Sequence, residues 1–174
     1  MQNTFYKYFG RLSLSLMLAL IGTQLHAKEV TQPNSLVSIS EAWVRPTNPG
    51  QEVGAAYMTF LSKQDLTLVS IESSVTDSVE IHNMTMENGV MKMRMLENLA
   101  LKAGEPYKLA PGGFHLMLFD LKKPLTLGEQ VRFTLHFKST AKSNTNIKNH
   151  QKSSLDYKQT IDVMVQAVPE SATH

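Results

Sequence analysis

The 174-residue chain contains no cysteine. That absence excludes disulfides, a redox CxxC pair, a thiolate zinc site and a blue-copper centre. It also excludes a bacterial lipid anchor, which is built on a cysteine. No apolar run is long enough to cross a bilayer as a helix: Leu12 to Gly22 is the longest, about 11 residues against the roughly 20 required. No segment beyond it shows a helical period. Charge of one sign is not in excess, with 17 Lys and Arg against 15 Asp and Glu. Lys7 and Arg11 lie in the first 27 residues, so the chain from Lys28 onward is formally neutral and the pI of 8.8 carries no message about nucleic acid. No basic patch interleaved with aromatics is present. No carboxylate pair is placed by a recognisable motif and there is no thiol nucleophile, so the chain does not read as an enzyme.

What is present begins with an address. Lys7 and Arg11 form a positive region, Leu12–Gly22 an apolar one, and Leu25-His26-Ala27 ends on a small residue before Lys28. This is the layout of a secretory signal peptide over residues 1–27. Its removal leaves 147 residues, one domain's worth, in the periplasm with no stable membrane insertion. Residues 28–35 form a polar N-terminal arm, 36–168 the folded domain and 169–174 a tail. Within the domain, short apolar or alternating runs are expected as strands: Leu36–Val44, Val53–Leu61, Leu66–Ser73, Val79–His82, Val90–Leu96, Phe114–Phe119, Val131–Phe137 and Ile161–Ala167. Turn formers separate them, as in Pro46–Gln51 and Pro111-Gly112-Gly113. Glu97–Lys108 is expected as a link. Lys138–Lys158, rich in Ser, Asn, Lys and Thr, is expected as a long polar hairpin insertion. The pattern predicts an all-β fold, an antiparallel sandwich or barrel in a single domain.

Chemistry concentrates in Val79–Phe119, which holds His82, His115 and six of the ten methionines. Alternate side chains of a strand share a face. Met91, Met93 and Met95 therefore share one face, with Lys92 and Arg94 on the other. His115, Met117 and Phe119 share a face opposite Phe114, Leu116 and Leu118. His82, Met93, His115 and Met117 are placed to converge from three strands or their ends. Imidazoles and thioethers without thiolate or carboxylate suit a soft monovalent metal, with copper(I) foremost. Thioethers do not titrate, so protons compete only at the imidazoles. The alternative stands beside this: methionines on one strand face are ordinarily core filler, and a histidine at a strand end is ordinarily a surface group. Met84, Met86, Met91 and Met95 crowd the same stretch as auxiliary ligands, shielding or packing. His150 in the polar insertion reads as a solvated side chain, and so do His136 and Met164.

The spacing His-x10-Met-x21-His-x-Met resembles the signature of the PCuAC family, periplasmic copper chaperones linked to assembly of the CuA centre of cytochrome c oxidase. The flanks VEIHNMTMENGVMKMR and LAPGGFHLMLFDLKKPL, and upstream AWVRPTNPGQEVGAAYMTF, resemble family sequence over roughly residues 39–137. The resemblance implies a cupredoxin-like Greek-key sandwich with His82, Met93, His115 and Met117 as copper(I) ligands. It implies a copper-receiving partner, such as an oxidase subunit or another copper chaperone. The insertion at 138–158 departs from the family's shorter final hairpin. Two other functions compete: copper buffering or storage, and a non-metal interaction domain presenting a Met-rich patch. Trp43 is expected in or near the core.

Overall fold

The computed structural model describes residues 35–139 and 156–169. The leader, most of the polar insertion with His150, and residues 170–174 lie outside the described residues. Among the described residues there are ten strands: β1 Val37–Val44, β2 Gly54–Ser62, β3 Leu66–Ser73, β4 Ser78–Glu87, β5 Val90–Leu96, β6 Leu99–Leu101, β7 Pro106–Leu109, β8 Phe114–Phe119, β9 Gln130–Ser139 and β10 Asp156–Met164. They form two antiparallel sheets. One runs β1-β2-β8-β4-β5, with β7 also paired to β2, and the other runs β10-β9-β3-β6. Isolated bridges pair Val44 of β1 with Val165, just past β10, and Ser62 of β2 with Ala103, between β6 and β7.

The sheets face each other because their apolar residues alternate. Ile39, Met58, Phe60, Ile81, Leu116 and Leu118 from the first meet Leu66, Leu68, Phe133, Leu135, Phe137 and Val163 from the second, in one buried cluster. Each such side chain stabilises the fold by about 1.5–3 kcal/mol through removal from water. The first sheet thus has a core face and an outer face, and its outer face carries the residues of interest.

Several strands differ from the sequence expectation. The expected link over Glu97–Lys108 contains β6 and most of β7. Leu99 and Leu101 are buried around an exposed Ala100, an alternation too short to stand out against the turn formers beside it. β4 reaches Glu87 rather than His82, because the Asn88-Gly89 turn keeps it paired with β5. Both turn residues have positive φ, 52° and 77°, as a two-residue type I′ hairpin requires. β10 starts at Asp156, so the paired strands run into both flanks of the polar insertion. The pairing there is supported by a buried polar cluster: Ser35 Oγ lies 2.7 Å from Gln159 Oε1 and 2.9 Å from Tyr157 Oη.

A bulge in β1 has a consequence for the outer face. Ser40 lies opposite Thr59, but the next pair is Trp43 with Tyr57, so β1 carries an extra residue between them. Glu41 absorbs it at φ 50°, its carboxylate accepting from Thr59 Oγ1 at 3.0 Å. The shift moves Trp43 off the core-facing parity of Val37 and Ile39. Trp43 is buried, as expected, but it stacks on Tyr57 with ring centroids 4.4 Å apart, outside the main cluster.

Candidate metal centre

Three neighbouring strands, β8, β4 and β5, place the candidate ligands on one face. In the register of β4 with β8, His82 is directly opposite His115 and Glu80 is opposite Met117. In the register of β4 with β5, His82 is opposite Met95, Met84 opposite Met93, and Met86 opposite Met91. Met93 is therefore diagonal to His82 on one side of the histidine pair, and Met117 is diagonal to it on the other. Diagonal neighbours on one sheet face lie about 7–8 Å apart at their backbones, within reach of long side chains. The register thus puts His82, Met93, His115 and Met117 on one face of three adjacent strands, with Met95 directly opposite His82.

The hydrogen-bond partners select the tautomer of each neutral imidazole. A carbonyl and a carboxylate only accept, so the nitrogen facing each must carry the hydrogen. His115 Nδ1 donates to Gly113 O at 3.0 Å, leaving Nε2 with its lone pair free. His82 Nε2 donates to Glu80 Oε2 at 2.7 Å, leaving Nδ1 free. That His82 Nδ1 is buried and has no hydrogen-bond partner. An unsatisfied buried acceptor costs about 1–3 kcal/mol, a cost that a bound cation would remove. The two rings have centroids 6.0 Å apart. Two imidazoles sharing one ion through bonds of about 2 Å have centroids no more than about 6 Å apart, so the spacing accommodates one ion.

Local sequence explains this placement. Ala110-Pro111-Gly112-Gly113 is a type II turn, with Gly112 at φ 82° and Gly113 N–H donating to Ala110 O at 3.1 Å. The same Gly113 carbonyl that orients His115 also accepts from the Met84 backbone N–H at 3.2 Å. One peptide group thus fixes both a ring and the alignment of two strands. At the far end, Thr76 Oγ1 donates to Phe119 O and accepts from Ser78 N–H, locking the start of β4 to the end of β8.

The donors differ in exposure. His115 is buried at 5%, and Met117 and Met84 are half-buried. Met93 is 50% exposed, Met95 54%, Met91 57% and Met86 65%. The stripe on β5 is thus not core filler, because each of its three methionines is at least half exposed. Among the described residues, no group of three or more His, Cys, Asp and Glu could hold a metal ion. The donors that do converge are soft or borderline ones. Phe119 borders His82 at 5.9 Å between centroids. On the β2 side, Ala55 is opposite Met117, and Tyr57 lies two residues along the same face. Burial pushes the Tyr57 phenol above its ordinary range, against the lowering effect of the Arg45 charge, whose guanidinium lies 5.9 Å from the ring centroid. Tyr57 therefore stays a neutral wall beside the site.

Glu80 and the Gly113 carbonyl were not singled out by sequence reasoning. The signal for Glu80 was its position two residues before His82, on the same strand face. His136 and Met164 do not meet: His136 is opposite Lys158 and Met164 is opposite Gln130, and His136 Nε2 sits 3.0 Å from Glu72.

The family described as "Putative lipoprotein LpqE-like" matches residues 37–148. The chain belongs to the LpqE-like family. It is 29% identical over 128 residues to "Putative lipoprotein Lxx21020" of Leifsonia xyli subsp. xyli, across 71% of this chain and 77% of that protein. It is 30% identical over 118 residues to the uncharacterized protein RP573 of Rickettsia prowazekii, across 64% of this chain and 65% of that one. In structure it matches the copper-bound PCuAC domain of PmoF2 with a TM-score of 0.56 at 21% identity, over 83% of this chain and 100% of that domain. It matches CuI-DR1885 of Deinococcus radiodurans with a TM-score of 0.50 at 26% identity, over 79% of this chain and 80% of that one. The LpqE-like chain therefore has the cupredoxin-like β-sandwich fold of PCuAC domains.

Proposed function

We propose that this protein is a copper(I) chaperone of the cell envelope. In this reading His82, Met93, His115 and Met117 bind the ion in the periplasm and release it to a copper-receiving protein, such as the CuA-bearing subunit of cytochrome c oxidase. The observation that carries the reading is the buried, unpartnered Nδ1 of His82, on a ring whose centroid lies 6.0 Å from that of His115, with a thioether diagonal to His82 on either side. The copper-bound forms of PmoF2 and DR1885 support it, as does the lipoprotein name of the Leifsonia relative for the envelope location. Among the described residues no helix is long and apolar enough to cross a membrane.

The geometry suits transfer rather than permanent storage. His115 and His82 anchor the ion from the buried side, while Met93 is half exposed and belongs to an edge strand. An incoming ligand can displace the exposed thioether before the imidazoles let go. Copper stays monovalent throughout, because two thioethers favour the softer oxidation state. A competition titration against a chromophoric copper(I) chelator, followed by mixing with an apo CuA domain, tests the reading. One tight equivalent that moves to the client is expected. An absence of competitive binding, or a bound ion that no client removes, contradicts it.

Glu80 has a positioning role in this account. Its carboxylate holds Nε2 of the His82 ring and so leaves Nδ1 free. Replacing such a partner of a ligating histidine ordinarily lowers metal affinity about 10- to 100-fold. Glu80→Gln is expected to lower copper(I) affinity within that range, with little change in thermal stability because Glu80 is partly solvent-exposed. Unchanged affinity in the same titration would remove Glu80 from the site.

A further inference from the structure

The β4–β5 hairpin runs past the rest of its sheet. β8 pairs β4 from Ser78 to Asn83, whereas the pairing of β4 with β5 continues to Glu87 opposite Val90. Beyond Asn83 the hairpin is a two-stranded ribbon, tied to the β8 side only by the Met84 N–H bond to Gly113 O. One face of that ribbon carries Met84 opposite Met93 and Met86 opposite Met91. Opposed side chains in such pairs have Cβ atoms about 4.5–5.5 Å apart, so these thioethers form a compact group. The charges are on the other face, where Glu87 holds Lys92 at 2.8 Å and Arg94 at 3.2 Å. Beyond Asn83 the methionine face therefore carries no hard oxygen donor from either strand and no cation to repel an incoming one, the nearest carboxylate on that face of β4 being Glu80, which holds His82.

Core packing does not account for these side chains. Met86, Met91 and Met93 are each at least half exposed. The histidine site uses Met93 and Met117 and leaves Met84, Met86 and Met91 unassigned. Thioethers select soft ions over the harder divalent cations.

We propose that Met84, Met86 and Met91 form a second, thioether-only site for a soft monovalent cation, copper(I) or its redox-inert analogue silver(I), at the distal end of the β4–β5 hairpin. Met93, opposite Met84 and diagonal to His82, lies between this site and the histidine pair and serves both. The ion keeps its charge and exchanges thioether for imidazole donors as it moves inward. The second site stands on its own donors; only the sharing of Met93 rests on the proposed function. It has no titrating ligand, so it holds its ion at acid pH.

The test is a silver(I) titration of the full chain carrying 13C-methyl methionine, followed by NMR at pH 7 and pH 5. The wild type is compared with His82→Ala/His115→Ala and with Met86→Leu/Met91→Leu, both of the latter at exposed positions. Met164, 42% exposed on β10, is an internal control. In the histidine variant at pH 5, the methyl signals of Met84, Met86 and Met91 are expected to shift and saturate with one equivalent while Met164 stays still. Met86→Leu/Met91→Leu is expected to weaken that binding at least tenfold and to lower the wild-type stoichiometry at pH 7 from two to one. If Met117 shifts and Met86 and Met91 do not, the second site is overturned and the proposed function survives. If Met86 and Met91 shift and Met117 does not in the wild type, the second site stands and the histidine site fails. Equal, unsaturating shifts of every exposed methionine, Met164 included, overturn the second site.

Discussion

His115→Ala is expected to lower copper(I) affinity by more than about 100-fold, exceeding the loss from removing an outer-shell partner. The ring supplies the buried end of the site. Its Nδ1 is tied to the Gly113 carbonyl, so Nε2 has a fixed direction, and the ring is only 5% exposed. Alanine leaves His82 facing a gap from which no other side chain of β8 can replace the lost nitrogen, because Leu116 and Phe114 point to the opposite face. The fold should persist, since the substitution removes one hydrogen bond worth about 1 kcal/mol and some packing. A circular dichroism melt beside the chelator titration separates the two effects. Met117→Leu is the companion: the change keeps volume and apolarity and costs less than about 1.5 kcal/mol of stability, yet removes a sulfur donor. Wild-type affinity in His115→Ala, with the fold intact, would mean that copper sits elsewhere.

Leu116→Ala is expected to do the reverse, lowering stability by about 2–5 kcal/mol. Leu116 is completely buried between His115 and Met117 and lies opposite Ile81 on β4 and Ala56 on β2. It is the peg that holds β8 against the second sheet, and so keeps His115 and Met117 turned outward. Its truncation leaves a cavity in a cluster that includes Leu118, Met58 and Phe60. Thermal unfolding should fall by something of the order of 10 °C. At temperatures where the variant is still folded, copper(I) affinity should stay near that of the wild type, because no donor has been touched. A variant with unchanged melting and lost copper would invert the assignment of the two faces of β8.

Those two faces were legible in the sequence. Phe114-His115-Leu116-Met117-Leu118-Phe119 alternates, and a strand period of two puts His115 and Met117 on one side and Leu116 and Leu118 on the other. The methionines of β5 were legible in the same way as to face, but not as to burial. Periodicity says which residues share a side and does not say whether another sheet covers it, and the β4–β5 hairpin runs past its neighbour. The direct opposition of His82 and His115 was also beyond local pattern. It depends on β8 inserting between β2 and β4, a non-local pairing fixed by the whole sandwich. Trp43 illustrates the effect of a single irregularity. Simple alternation from Val37 and Ile39 turns it toward the core, and the extra residue at the Glu41 bulge turns it outward onto Tyr57. Glu80 was hidden because a carboxylate two residues from a histidine is common, and only the 2.7 Å contact distinguishes this one.

X-ray absorption at the copper edge, on protein loaded with one equivalent of copper(I), reads the oxidation state and the donor set together. A monovalent edge is expected, with both nitrogen and sulfur scatterers bound to the ion. The sulfur contribution should fall in Met117→Leu and the nitrogen contribution in His115→Ala. A first shell of nitrogen and oxygen alone, or sulfur scattering indifferent to Met117, would contradict it.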